Sequence, residues 1–170
     1  MNLYYGEINT PIGMLIAVSD GNKIVRIDYG TFTGNQDKLM NWVKRYIKEG
    51  HFIHAPEMVA LVDKQLQEYF DKERLSFEIG FSFYGTEFQK KVWQALVDEL
   101  PYGKAKSYKD IAIAIGNPKA VRAVGGAINK NPFSIVVPCH RVVGTSGKLV
   151  GYNGGLSKKE YLLKHEEILI

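Results

Sequence analysis

The chain is poor in cysteine: its 170 residues hold one, Cys139. A single cysteine cannot close an internal disulfide, and it excludes the multi-cysteine sites that hold structural zinc. No metal and no cofactor is expected. A compartment that keeps thiols reduced is the expectation, and cytoplasm is the assignment. No segment approaches the roughly 18 consecutive apolar residues that a membrane-spanning helix needs, so no membrane partner is expected. Met1–Glu7 has no basic stretch leading into an apolar run, so no signal peptide is expected. No glycine loop runs into GK[ST], and no strand–GxGxxG–helix unit is present, so a nucleotide-phosphate cradle is not implied. What is there suits one domain or two small ones, with 45% hydrophobic residues available for a core.

The net charge of +4 is uneven. Residues 1–80 carry 9 Lys/Arg against 11 Asp/Glu, a net of −2, and residues 81–170 carry 13 against 7, a net of +6. The second half is the one that would attract a polyanion.

The first half, residues 1–79, looks like an α+β support domain. Asn2–Ile8, Met14–Ser19 and Ile24–Tyr29 are short, rich in β-branched and aromatic residues, and separated by Thr10-Pro11-Ile12-Gly13 and Asp20-Gly21-Asn22, so they predict antiparallel strands. Leu39, Trp42, Val43 and Ile47 predict a helix over Gln36–Lys48. Met58, Leu61, Val62, Leu66, Tyr69 and Phe70 predict another over Glu57–Phe70, and Leu75–Ile79 fits a further strand. His51 and His54 have no third ligand in view and are surface histidines on this pattern.

Residues 80–170 carry the chemistry. After the aromatic linker Phe81–Gly85, Thr86 and Gln89 form a capping box, and Phe88, Val92, Trp93, Leu96 and Val97 face inward until Pro101-Tyr102-Gly103 stops the helix. Ser107 caps a short helix with Ile111, Ala112 and Ile115 inward. Gly116 ends it, and Asn117 caps a second helix, Pro118–Asn129. Two helices around a tight turn match a helix-turn-helix, although a plain helical hairpin is commoner. The second helix decides between them. Val121, Val124 and Ile128 form its inner face. Its outer face carries Lys119, Arg122, Gly126 and Asn129, made small by Ala123, Gly125, Gly126 and Ala127. Two glycines inside a helix cost about 1 kcal/mol each relative to alanine, which implies close approach to the backbone. A DNA groove or a neighbouring strand would do this, and Arg122 rising from a small face favours DNA. So few reading side chains point to binding through phosphates and shape, with little sequence specificity.

Ser134–Val137, apolar and largely β-branched, delivers Pro138-Cys139-His140-Arg141. A glycine-rich loop follows (Gly144, Gly147, Gly151, Gly154, Gly155) and reads as a pocket wall. Ser157 and Glu160 form a capping box for the last helix, with Leu156 and Tyr161 as its hydrophobic staple. Leu162, Leu163, Leu169 and Ile170 make an apolar face in which Glu166 is embedded. A carboxylate there is costly unless paired. A carboxylate can orient a histidine, and a histidine can take a thiol proton directly or through water. Adjacent residues of a strand point oppositely, so Cys139 and His140 must sit at a turn or be bridged by water. Cys139 is thus a candidate nucleophile, with an inert core cysteine as the alternative.

These segments together resemble the O6-alkylguanine-DNA alkyltransferases. Pro138-Cys139-His140-Arg141-Val142 is similar to that family's active-site signature, and Asn117–Ala127 to its recognition helix. Gly151–Leu156 and Lys158–Leu163 are similar to its closing loop and helix, and Gly85–Gln89 with Val92-Trp93 to the start of its catalytic domain. The likeness runs from about residue 80 to 167; over the first half Thr10-Pro11-Ile12-Gly13 is the best match.

The resemblance implies an α+β fold: a ribonuclease H-like N-terminal domain and a mostly helical, winged-helix-like catalytic domain carrying the helix-turn-helix. It implies a suicide DNA-repair methyltransferase. Cys139 would take the alkyl group from O6-alkylguanine, or O4-alkylthymine, in double-stranded DNA, once per molecule and as a monomer. His140 would be the base through a water, held by Glu166, and Asn131 would stabilise the turn into an active-site strand. Tyr108 would push a phosphate and donate to the departing guanine, and Arg122 would fill the space of the flipped base. The carbonyls of Cys139 and Val142 would accept from the guanine amine. Tyr152 and Asn153 would wall the pocket, Asn153 standing where many relatives have serine or alanine. Ser107, Ala123, Gly125, Gly126, Ala127 and Lys159 complete the substrate- and DNA-binding set. Two rivals are weighed: a non-catalytic winged-helix DNA-binding or regulatory module, which leaves Glu166 and the Pro-Cys-His-Arg run without a purpose, and a cysteine hydrolase, which would turn over repeatedly.

Overall fold

The computed structural model describes residues 1–145 and 149–168. Gly147 of the glycine loop, and Leu169 and Ile170 of the expected apolar face, lie outside them. The chain divides into two compact units, Met1–Tyr84 and Gly85–Ile170.

In the first unit, the turn signals between β-branched runs produce a meander of β1 (Asn2–Thr10), β2 (Gly13–Ser19) and β3 (Ile24–Tyr29). Gly13 makes the first turn at φ 111°, a conformation that other residues rarely adopt. β4 (His51–His54) adds to β1 in parallel, giving the order β3-β2-β1-β4. The sheet is therefore mixed, where antiparallel strands alone were expected. β2 is central, and Leu15, Ile16, Ala17 and Val18 are all buried, so both faces of the sheet are covered. Helix α1 (Phe32–Trp42) lays Leu39 and Trp42 over Leu3, Ile16, Val18 and Val25. It starts four residues before the expected Gln36, because Thr31 accepts from the Gly34 N–H and caps it there. Its end widens into a π-helical turn, Val43–Ile47. On the other face a 3₁₀ turn, Pro56–Val59, leads into α2 (Ala60–Phe70), so the single helix expected from Glu57 is two elements. A Cβ on Gly6 would lie 2.6 Å from Val59 Cγ2, so the turn packs directly on the backbone of β1. Met58 and Leu61, expected inward, are exposed.

Leu75–Ile79 is not a strand. The Gln65 side chain takes the place of a strand partner, donating to the Glu78 carbonyl at 3.1 Å and accepting its N–H at 2.9 Å.

The second unit begins with α3 (Glu87–Glu99), whose Thr86–Gln89 capping box is formed in both directions. Val92, Trp93 and Leu96 are buried, but Val97 is exposed, because the buried stripe turns away from it along the helix. α4 (Tyr108–Ala114) is capped by Ser107 and Asp110, and α5 is Val121–Asn129. Trp93 Nε1 donates to the Ala127 carbonyl at 2.8 Å and ties α3 to α5. Asn117 does not cap α5. A residue before proline disfavours helical backbone, and Asn117–Ala120 closes its own turn, Ala120 N–H to Asn117 O at 3.0 Å, so the helix starts three residues after Pro118. With that start, Val121 is exposed, and Val124, Ala127 and Ile128 are buried.

Ser134–Val137 is a compact turn and no strand. Ile135 sits at φ 70°, a costly conformation for a β-branched residue and one that ends any extended run. A 3₁₀ turn, Cys139–Arg141, follows, and β6 (Val142–Val143) pairs in parallel with β5 (Lys106–Ser107). α6 (Leu156–His165) starts one residue before Ser157, on Gly155 at φ 98°. Ser157 is thus inside the helix and cannot cap it, and Leu156 and Tyr161 are both exposed and form no staple.

Candidate active site

Asn131 organises the approach to the cysteine. Its Oδ1 accepts the Phe133 N–H at 3.0 Å, and its Nδ2 donates to the carbonyls of Phe133 (3.2 Å) and Val137 (2.9 Å) and to Cys139 Sγ (3.1 Å). This side chain brackets the strained Ile135 and aims at the sulfur. Because Cys139 and His140 lie on a 3₁₀ turn, their side chains leave the backbone in different directions. The thiol borders a cavity, and the imidazole points to α6.

Glu166, at the C-terminal end of α6, meets that imidazole. His140 Nε2 and Glu166 Oε2 are 2.6 Å apart, and both residues are buried. Arg141 grips the same carboxylate, Nε to Oε1 at 2.7 Å and Nη2 to Oε2 at 3.0 Å, and the Gly103 N–H adds a bond to Oε1 at 3.2 Å. Burial alone would raise the carboxyl pKa, but the bonds from His140 and Arg141 outweigh it and hold Glu166 well below the usual carboxylate range. Burial drives the His140 pKa down, although Glu166 opposes the shift, so the ring is neutral at physiological pH. A carboxylate only accepts, so Nε2 carries the hydrogen. Nδ1 is then the basic nitrogen, and it has no hydrogen-bond partner among the described residues.

Burial pushes the Cys139 thiol up to about 11, against the Asn131 bond and the Lys159 charge, which favour the thiolate. The resting cysteine is a thiol. It lies 4% exposed beside a cavity of about 400 Å³. Gly125, Gly126, Tyr108, Tyr152 and Asn153 line this cavity, together with Ile128, Asn129, Val150 and Gly151. Packing inside the unit does not demand the two glycines of α5. A Cβ on Gly125 would be at ordinary contact, 3.8 Å, from the Tyr108 ring, and one on Gly126 would meet nothing. What their small size leaves open is the cavity itself.

Tyr108 is half-buried, and its hydroxyl donates to the Val150 carbonyl at 3.1 Å. Burial and the neighbouring Cys139 raise its pKa, so it remains a proton donor. Ser107 spends its hydroxyl on the α4 cap. Arg122 and Ala123 are exposed on α5, but Ala127, expected on the binding face, is turned into the core. Both carbonyls expected to meet a guanine amine already accept one bond, Cys139 O from the Val142 N–H and Val142 O from Lys159; each keeps a second lone pair.

Lys159 departs most from expectation. It is fully buried, and Nζ donates to the carbonyls of Val142 (2.6 Å), Val150 (2.8 Å) and Gly151 (3.2 Å). An ammonium has three hydrogens, all committed here, so Lys159 clamps the cavity wall and has none left for DNA. Burial lowers its pKa to about 8. Its place was legible in principle: it stands three, four and seven residues before Leu162, Leu163 and Glu166, on the same helix stripe. Arg141 was also missed, although it adjoins His140. Among the described residues, no three His, Cys, Asp or Glu side chains gather as a metal site.

Residues 3–83 match the family model described as 6-O-methylguanine DNA methyltransferase, ribonuclease-like domain, and residues 87–168 match 6-O-methylguanine DNA methyltransferase, DNA binding domain. A methylated-DNA–protein-cysteine methyltransferase of Methanosarcina barkeri is 40% identical over 167 residues, covering 97% of this chain and 98% of that protein. A constitutive one from Bacillus subtilis is 43% identical over 166 residues, covering 97% and 96%. Among solved structures, Mycobacterium tuberculosis OGT in complex with DNA is similar at a TM-score of 0.82 and 36% identity, over 98% of this chain and 93% of that one.

Proposed function

The chain belongs to the 6-O-methylguanine DNA methyltransferase family, and from that premise we propose that it repairs alkylated DNA by moving the alkyl group of O6-alkylguanine onto Cys139. The observation that carries this reading is the setting of the chain's only cysteine, bordering a cavity of about 400 Å³ beside a His140–Glu166 pair. The chain binds DNA. A target atom inside a duplex is reached by flipping the nucleotide out, which costs a few kcal/mol and less for a poorly paired base. Gly125 and Gly126 open the cavity to the base, Tyr152 and Asn153 wall it, and Arg122 occupies the gap left in the stack.

In the transfer, the Cys139 proton passes through a water to His140 Nδ1, and Glu166 stabilises the imidazolium. The sulfur attacks the alkyl carbon, an S–C bond forms, and the C–O6 bond breaks with its electron pair going to guanine. Tyr108 leaves the Val150 carbonyl to hydrogen-bond the departing base, which takes up the proton that His140 received from Cys139, relayed through water and the Tyr108 hydroxyl, and becomes ordinary guanine. The thiol rests at about 11, so desolvation keeps the sulfur protonated until substrate, Asn131 and His140 act together. The product is a thioether. No residue of the site can cleave it, so each molecule acts once, without cofactor. O4-alkylthymine presents the same alkyl–oxygen bond and is the second substrate. All the reacting groups lie between Tyr108 and Glu166 of one chain, which supports a monomer as the acting species. Its free thiol supports a reducing, cytoplasmic setting. Few reading side chains on α5 support binding with little sequence preference.

Incubation with a duplex containing O6-methylguanine, followed by peptide mass spectrometry, tests this. One methyl on Cys139 per molecule, and then silence, is expected. Cys139→Ala should bind the duplex and transfer nothing. Binding without mass gain on the wild-type protein would instead make it a non-catalytic module, and repeated turnover would make it a hydrolase.

A further inference from the structure

Glu166 is in an unfavourable place for a charge. It is buried, and it stands at the C-terminal end of α6, where the helix dipole is negative. His140 helps to keep it ionised through the 2.6 Å bond from Nε2, but that ring is buried and neutral and brings no permanent charge. The cation set directly against both of its oxygens is the Arg141 guanidinium. Arg141 is fixed on all sides. Nε and Nη2 hold the two carboxylate oxygens, Nη1 donates to the Leu100 carbonyl at 2.6 Å, and Cζ lies 5.8 Å from the Tyr102 ring centroid.

The consequence falls on His140. An ionised Glu166 can only accept, which puts the imidazole hydrogen on Nε2 and leaves Nδ1 as the base. A protonated Glu166 would offer a donor, Nε2 could accept from it, and the hydrogen would move to Nδ1, the position that must be empty to receive the Cys139 proton. We propose that Arg141 is a positioning residue for the transfer: its fork keeps Glu166 an acceptor-only carboxylate and thereby selects the His140 tautomer that can act as base. Among the described residues, Tyr102 and Glu167 near Glu166, and Lys159 acting on His140, also bear on this pair. Tyr102 and Glu167 supply no cation, and Lys159 bears on the ring, so none replaces the guanidinium at the carboxylate. The proposal rests on the reading of Cys139 as acceptor and His140 as base.

The test joins two readouts on Arg141→Gln and Arg141→Lys. Imidazole ¹⁵N shifts of His140 report its tautomer without any DNA, and the pH dependence of methyl transfer reports the base in action. Wild-type protein should carry the Nε2 hydrogen across neutral pH. In Arg141→Gln the Nδ1 hydrogen should appear, and the acid limb of the transfer rate should move towards neutral pH by about one unit or more, the usual effect of losing an adjacent opposite charge. Arg141→Lys keeps the charge but not the fork and should shift less. Unchanged tautomer and acid limb in a folded variant, with the rate merely scaled down, would overturn the proposal. So would a failure of both variants to fold, which would make Arg141 structural. If wild-type protein transfers no methyl group, the functional reading fails, and the tautomer arm still decides what Arg141 does.

Discussion

A thiol held up at about 11 makes a direct prediction for the free protein. At pH 8 only about one Cys139 in a thousand is thiolate, so iodoacetamide should label the native chain slowly. The sign is set by burial: the native thiol keeps its proton above the ordinary value of 9.0, so labelling should climb about tenfold per pH unit between pH 8 and 10 and go on climbing where the unfolded chain levels off. A rate that already plateaus near pH 7 would mean an activated thiolate at rest. Lys159 makes the second prediction at this scale. Lys159→Met removes the donor to three carbonyls around the cavity. Bonds from a charged donor contribute about 1.5–3 kcal/mol, part of which is offset by no longer burying the charge, so a loss of about 1–3 kcal/mol in urea denaturation is expected. Amide exchange at Gly151 and Tyr152 should quicken, and transfer should fall at least about tenfold, since positioning losses of this kind multiply in rate. Arginine should not rescue it, because a planar fork does not match three carbonyls that converge on a single ammonium. Unchanged transfer in Lys159→Met would remove the clamp from the account.

Among the elements, α5 sets its own stability against its use. Gly126 lies within the helix, and a Cβ there would touch nothing among the described residues. Gly126→Ala should therefore stabilise the protein by about 1 kcal/mol, the helix-propensity difference, visible as a higher melting temperature. It also puts a methyl group at the cavity, so transfer from a methylated duplex should slow. A variant that gained stability and kept its full rate would show that the small face serves no ligand. The sequence already pointed to this helix by its glycines, and to Glu166 by its place on an apolar stripe, because both are local patterns. What it could not convey is non-local. β4 is four mostly exposed residues, without alternation, that pair in parallel with a strand some fifty residues away. Leu75–Ile79 has a strand's composition, yet the Gln65 amide satisfies the Glu78 backbone groups. The resemblance puts Lys159 in the DNA-binding set, a role that needs a cation free to meet a phosphate. The three carbonyls converging from β6 and the loop before α6 make a buried ammonium tolerable.

For the whole molecule, charge divides as the fold does. Residues 81–84 carry none, so the −2 and +6 found either side of residue 80 belong equally to the units Met1–Tyr84 and Gly85–Ile170. Within the second unit Lys104, Lys109, Lys119, Arg122 and Lys130 are exposed, whereas Lys159 and Arg141 are buried and committed to carbonyls and to Glu166. Affinity for an undamaged duplex should thus come from a handful of cations in one unit. Each phosphate neutralised releases condensed counterions, giving a fall in log K with log salt of about 0.9 per contact. Lys119→Gln or Lys130→Gln should flatten that slope by up to about 1 each if the residue meets a phosphate, and should weaken all sequences alike. Lys44→Gln, equally exposed but in the acidic unit, should leave the slope where it was. Titrating fluorescent duplexes at several salt concentrations measures this. A slope equally sensitive to Lys44 would mean that both units contact the backbone, and it would end the assignment of DNA binding to the second unit alone.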